Sequence, residues 1–134
     1  MQPEFNLAMG QCYMAMGNLD DAITYFGNVV RVRPKNVNGW MELLKCLFKA
    51  ELFDEALEYA GFALEQTDGK PVFLFYKSAI LFAMSRSKEA IILLENGMQK
   101  NPKLIKKLIE LNPAILQSQY VVDIIARFKK RRSM

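Results

Sequence analysis

Residue types recur with a period of 34 along most of the chain. Ala22, Ala56 and Ala90 are 34 residues apart, and Ile23, Leu57 and Ile91 follow them in step. Cys12 and Cys46 share that spacing, Tyr13, Leu47 and Leu81 fall in phase, and Pro34 and Pro102 stand two periods apart. Self-similarity at a fixed interval of this size marks stacked supersecondary units, each unable to bury its apolar face alone. Three units follow: 3–36, 37–70 and 71–104. Within each, apolar residues return every three or four positions, the helical period, and never alternate as in a strand.

A break near the middle of each unit divides it into two helices. It lies at Gly17-Asn18, at Glu51-Leu52 and at Ser85-Arg86. Acidic residues follow each break (Asp20-Asp21, Asp54-Glu55, Glu89), where the partial positive charge of a helix start favours them. A turn signal closes each unit: Arg33-Pro34, Asp68-Gly69 and Asn101-Pro102. Each unit therefore reads as a helix, a tight turn and a second helix.

This pattern resembles the tetratricopeptide repeat. Met9-Gly10, Tyr13, Ala22, Phe26 and Pro34 of the first unit stand at that family's signature positions. The second unit supplies Trp40, Leu43 and Ala56 but has Leu44 for the glycine and Asp68 for the proline. The third keeps Ala90 and Pro102 and has Lys77-Ser78 where Leu-Gly is expected. The resemblance covers residues 3 to about 104 and implies an all-α, right-handed superhelical solenoid of three repeats. Small residues (Gly10, Ala22, Ala56, Ser78, Ala90) let helices approach, and large ones (Tyr13, Phe26, Trp40, Leu47, Leu81, Leu94) fill the gaps.

Residues 105–130 read as C-terminal capping helices, followed by a basic tail at 131–134. "KLIKKLIEL" (103–111) is amphipathic, and Asn112-Pro113 suits an N-cap followed by proline at the first helical position. Beyond it Leu116, Tyr120, Val121, Ile124, Ile125 and Phe128 are expected to share one broad apolar face, opposite Gln119, Asp123, Arg127 and Lys130.

Composition removes several classes of chemistry. The chain has no histidine, the commonest general acid–base and an abundant zinc ligand. Its two cysteines form no CxxC pair and are too few for a disulfide scaffold. No uncharged apolar run is long enough to span a membrane. "MQPEFNLAMG" lacks a basic region leading into an apolar stretch, so no signal peptide is expected and the reading is cytoplasmic. Asp20-Asp21 and Asp54-Glu55 recur at equal repeat positions on neighbouring residues that a helix points apart, which favours helix-start electrostatics over paired acid–base work. With no phosphate-cradling loop and no nucleophile beside a base, an enzyme is not expected, and no cofactor or metal is implied.

Met9, Cys12, Met14 and Met16 place four soft sulfurs in eight residues, a set that could hold Cu(I). Repeat phase offers a simpler account. Cys12 and Cys46 occupy the same small apolar slot, Met9 takes the leucine position, and Met16 continues the buried face. Met14 alone falls on the concave side.

In the resembled family, positions 2, 5, 9, 12 and 13 of each first helix line the concave groove. Here they are Glu4, Leu7, Gln11, Met14 and Ala15; Asn38, Met41, Lys45, Phe48 and Lys49; Val72, Phe75, Ala79, Phe82 and Ala83. Members that hold a partner's C-terminal carboxylates use Lys and Asn, then Asn, then Lys and Arg. Leu7, Gln11, Glu42, Val72 and Tyr76 stand at those places, so the carboxylate clamp is absent. The expected partner-binding groove comprises Leu7, Gln11, Met14, Met41, Lys45, Phe48, Lys49, Phe75, Ala79 and Phe82. Its character suits an apolar peptide or helix, self-association through the groove or the C-terminal helix, or partial coverage by the chain's own last helix.

Charge supplies the alternative. Residues 1–102 balance at −2, whereas 103–134 balance at +6. Lys103, Lys106 and Lys107, with Lys129, Lys130, Arg131 and Arg132 of the tail, could meet nucleic acid or an acidic partner. That reading predicts affinity falling steeply with salt. No base-stacking aromatic motif accompanies the charges, so nucleic acid is the less favoured partner and a solvated tail the simpler reading.

Overall fold

The computed structural model describes residues 2–133, with side chains to residue 130. These form eight α-helices, two short 3-10 segments and no strand. The helices are α1 (Pro3–Ala15), α2 (Leu19–Val32), α3 (Val37–Lys49), α4 (Phe53–Gln66), α5 (Pro71–Ala83), α6 (Ser87–Lys100), α7 (Ile105–Leu111) and α8 (Gln119–Ser133). The all-α repeat architecture expected from the period is the observed one. The chain divides into two compact units, Met1–Gly69 and Lys70–Met134.

One backbone position makes each hairpin. Gly17, Glu51 and Ser85, spaced by the repeat, all adopt left-handed conformations, with φ of 80°, 59° and 61°. Each ends its first helix by the same pair of hydrogen bonds. Asn18 N donates to Tyr13 O at 2.9 Å and Gly17 N to Met14 O at 3.0 Å. Leu52 and Glu51 repeat this on Leu47 and Phe48, as Arg86 and Ser85 do on Leu81 and Phe82. The pair satisfies carbonyls that a helix end leaves open. Glycine takes this conformation freely, while Glu51 and Ser85 hold it at a cost of about 1 kcal/mol each. Side chains reinforce two of the helix starts: Asn18 Oδ1 accepts from Asp21 N, and Asn36 Oδ1 from Gly39 N. Pro3 and Pro71 open α1 and α5.

In the first unit, a large residue faces a small one at the crossing of each hairpin. A Cβ added to Gly10 would stand 2.6–2.8 Å from the Phe26 ring, so only glycine admits that ring. One repeat later the sizes are exchanged: Leu44 holds the glycine's register and Ala60 the phenylalanine's, both fully buried. Leu44, a departure from the family pattern, thus comes with a small residue in the phenylalanine's register. The same rule governs α2 against α3, where a Cβ on Gly39 would meet Val29 Cγ1 at 2.8 Å and Val30 Cγ1 at 3.2 Å. Trp40 Nε1–H ties α3 to the preceding turn by donating to Pro34 O at 2.7 Å.

The second unit pairs α5 with α6, where Ser78 Oγ donates to the Ala90 carbonyl at 2.7 Å across the crossing. A Cβ on Gly97 would meet the Phe75 ring at 2.9–3.2 Å. Phe75, Ala79, Leu94 and Met98 then form one core with Ile105 and Leu108 of α7, Ile115, and Val121, Ile124 and Ile125 of α8. Each large apolar side chain so buried contributes roughly 1.5–3 kcal/mol.

Four expectations need correction. Cys12 is exposed and Met16 is 74% exposed, because the outward face of α1 carries no covering helix among the described residues; both were expected inside. Leu116 and Tyr120 are also exposed and leave the broad apolar face: Pro113–Gln117 is a separate 3-10 turn, and Ser118 Oγ starts α8 by accepting from Val121 N. Asn112 and Pro113 do take the N-cap and first helical positions, but of the 3-10 segment and without a side-chain cap bond; Asn112 Nδ2 donates instead to Ala79 O at 3.0 Å. Finally, α8 continues through the start of the expected tail to Ser133.

Because glycine holds the turn conformation without strain, Glu51→Gly should raise stability by about 0.5–1 kcal/mol, read as a higher urea midpoint at unchanged slope.

Candidate protein-interaction surface

Helices α1 and α3 of the first unit each present one accessible stripe at the concave positions. On α1, Leu7 and Met14 are half-buried and Gln11 is exposed between them. On α3, Met41, Lys45 and Phe48 are half-buried and Lys49 is exposed. Spacings of three, four and seven put these residues on one side of their helix. Phe48 is braced by an edge-on contact with Phe53, centroids 5.2 Å apart, which limits its rotamers while leaving a face open. Lys45 Nζ lies 3.3 Å from Glu42 Oε1, so that cation is partly neutralised locally. Lys49 stands exposed in the last turn of α3, where positive charge also suits the helix end.

Three of the five equivalent positions of the second unit are closed. Val72 is 7% exposed, and Phe75 and Ala79 are wholly buried. Phe75 and Ala79 belong to the core completed by α7 and α8, and the Asn112–Ala79 hydrogen bond pins the intervening loop on top of them. Phe75 and Ala79 are therefore not groove residues: the chain's own C-terminal segment occupies that face. Phe82 keeps partial access at the rim of a cavity of about 240 Å³ that it shares with Ala83, Asn112, Ala114, Ile115 and Ser118. Of the ten expected groove residues, the seven in the first unit stay accessible, three on α1 and four on α3.

The first unit also has a cleft that sequence reading did not single out. Ile23, Gly27, Val30 and Arg31 of α2, Trp40 and Leu43 of α3, and Glu55 and Tyr59 of α4 enclose about 360 Å³. Tyr59 leans on Trp40 (centroids 6.4 Å apart) and meets Phe62 edge-on at 5.9 Å. A signal for it existed. Tyr59 and Phe62 lie beside the Ala56–Ala60–Ala63 stripe that α4 buries, so they point elsewhere.

Residues 3–36, the whole of the first hairpin, match the tetratricopeptide repeat model. The chain carries a tetratricopeptide repeat. No curated protein matches it in sequence. Tetratricopeptide repeats generally mediate protein–protein interaction and are typically non-catalytic scaffolds.

Lys103, Lys106, Lys129 and Lys130 are exposed, while Lys107 is half-buried and ion-paired with Glu110 at 3.9 Å. The side chains of Arg131 and Arg132 lie outside the described residues. Burial, with the Glu42 carboxylate adding to it, pushes the Cys46 thiol up to about 11, so it is inert at neutral pH beside the exposed Cys12. Among the described residues, no three His, Cys, Asp or Glu are grouped to hold a metal ion. No described helix is long and apolar enough to cross a membrane.

Removing the Asn112 amide leaves the loop over Ala79 without its buried tie, so Asn112→Ala should cost about 1–2 kcal/mol. Asn112→Asp, which sets an acceptor against a carbonyl, should cost more; chemical denaturation of both variants checks the order.

Proposed function

We propose that this chain is a protein-interaction module whose first unit takes an apolar peptide or amphipathic helix across α1 and α3. The observation that carries the reading is a difference between equivalent positions. Leu7 and Met41 remain accessible, whereas Phe75 at the matching position of the third hairpin is wholly buried; Phe82, which matches Met14 and Phe48, keeps partial access as they do. A stripe with two accessible apolar anchors is thereby kept on the first two hairpins and lost from the third.

The lining sets the ligand chemistry. Methionine and phenylalanine adapt to apolar surfaces of differing shape. Two apolar side chains seven residues apart on each helix match the spacing with which an amphipathic helix presents its anchors. Lys45 and Lys49, at one end of α3, orient a ligand by attracting acidic flanks, and the local pairing of Lys45 with Glu42 leaves Lys49 the larger share. A C-terminal carboxylate is not the anchor, since Leu7, Gln11 and Glu42 replace the basic and amide groups that would hold one.

Truncating two central anchors, Met41→Ala with Phe48→Ala, should weaken the complex at least tenfold. The test is a pull-down from the source cell with quantified retention, using wild type and variant matched for thermal unfolding. A partner retained equally by both would contradict the reading.

A further inference from the structure

The outward face of α1 carries apolar residues that repeat register places inside an interface elsewhere in the molecule. Phe5 is 53% exposed and Met16 74% exposed, and Ala8 and Cys12 between them are exposed as well. One repeat on, Gly39 at the position of Phe5 is buried and Cys46 at that of Cys12 is wholly so. Two repeats on, Phe73 and Ile80 are at 0%. Cys12 and Cys46 are the same residue type at the same position, and only their cover differs. For α3, part of that cover is α2, whose Val29 and Val30 stand against Gly39.

We propose that the outward face of α1 is a stacking surface for one further helical hairpin of this repeat type, laid on it as α2 is laid on α3. Phe5 selects which hairpin fits. Val29 already leaves no room for a Cβ at Gly39, and Phe5 occupies Gly39's register, so a valine there in the incoming helix clashes with its ring. The incoming second helix must carry a small residue at that place, as α4 does with Ala63. Size matching then fixes both the occupant and its register, because shifting the incoming helix moves the small residue off Phe5. Apolar burial of Phe5, Cys12 and Met16 supplies the attraction. Glu4 is the one charged residue of α1.

The test joins a copied hairpin ahead of Pro3 and follows labelling of Cys12 by a thiol reagent. One fusion copies residues 37–70, which bring Ala63; the other copies 3–36, which bring Val29; the copied cysteine is serine in both. Labelling of Cys12 should slow at least tenfold in the first fusion and little in the second. Phe5→Gly should restore protection to the second. Equal labelling of the parent chain and the first fusion, equal protection by both copies, or loss of cooperative unfolding in the first fusion would overturn the proposal. So would a parent chain that sediments as a dimer with Cys12 shielded, since a second copy would then be the occupant.

Discussion

Size matching at helix crossings is the constraint on which the rest of this structure depends. A helix pair approaches closely enough to exclude water where one partner is small, and buried volume is kept by making the other large. Gly10 receives Phe26; Leu44 and Ala60 exchange those sizes one repeat later; Gly39 receives Val29; Gly97 receives Phe75. A fixed spacing of 34 keeps such positions in phase, and the left-handed residue at 17, 51 and 85 folds each hairpin back so that they meet. Lose the turn, and the complementary residues no longer face one another.

The same constraint distributes function. A repeat hairpin has more apolar surface than it can bury by itself. In the second unit that surplus is covered from within, by α7, the 3-10 turn at 113–117 and α8, with Asn112 supplying a directional tie to Ala79. In the first unit the concave stripes of α1 and α3 remain open, as does the outward side of α1. The open apolar surfaces are therefore distinct in kind: an adaptable Met- and Phe-lined stripe, and a sterically selective face whose shape is set by Phe5.

Much of the fold was legible because period, turn signals and helix starts all point one way. The hairpin boundaries, the buried Ala22, Ala56 and Ala90, and the aromatic at Phe26 follow from repeat phase alone. What was not legible depends on neighbours. Cys12 and Cys46 are equivalent by period, yet one is covered and the other is not, and no local pattern distinguishes them. Leu44 looks like a lapse from the family until Ala60 is found in the register of Phe26. Phe75 and Ala79 carry groove positions, but their fate was decided by residues some thirty positions away, where Asn112 reads as an ordinary N-cap. The Tyr59 cleft was not legible because its walls come from three helices, α2, α3 and α4, which no local pattern shows meeting there.

The central claim is that the C-terminal segment is part of the second unit's core and closes its concave face. Hydrogen exchange on the full chain, read by mass spectrometry across residues 71–128, tests it most directly. Buried backbone in one cooperative unit exchanges through shared opening, so the account predicts that 105–111 and 119–126 exchange as slowly as α5 and α6 and lose protection together with them as denaturant rises. Rapid exchange of 105–126 while α5 and α6 stay protected would mean that the segment is not part of that core, and would contradict the account.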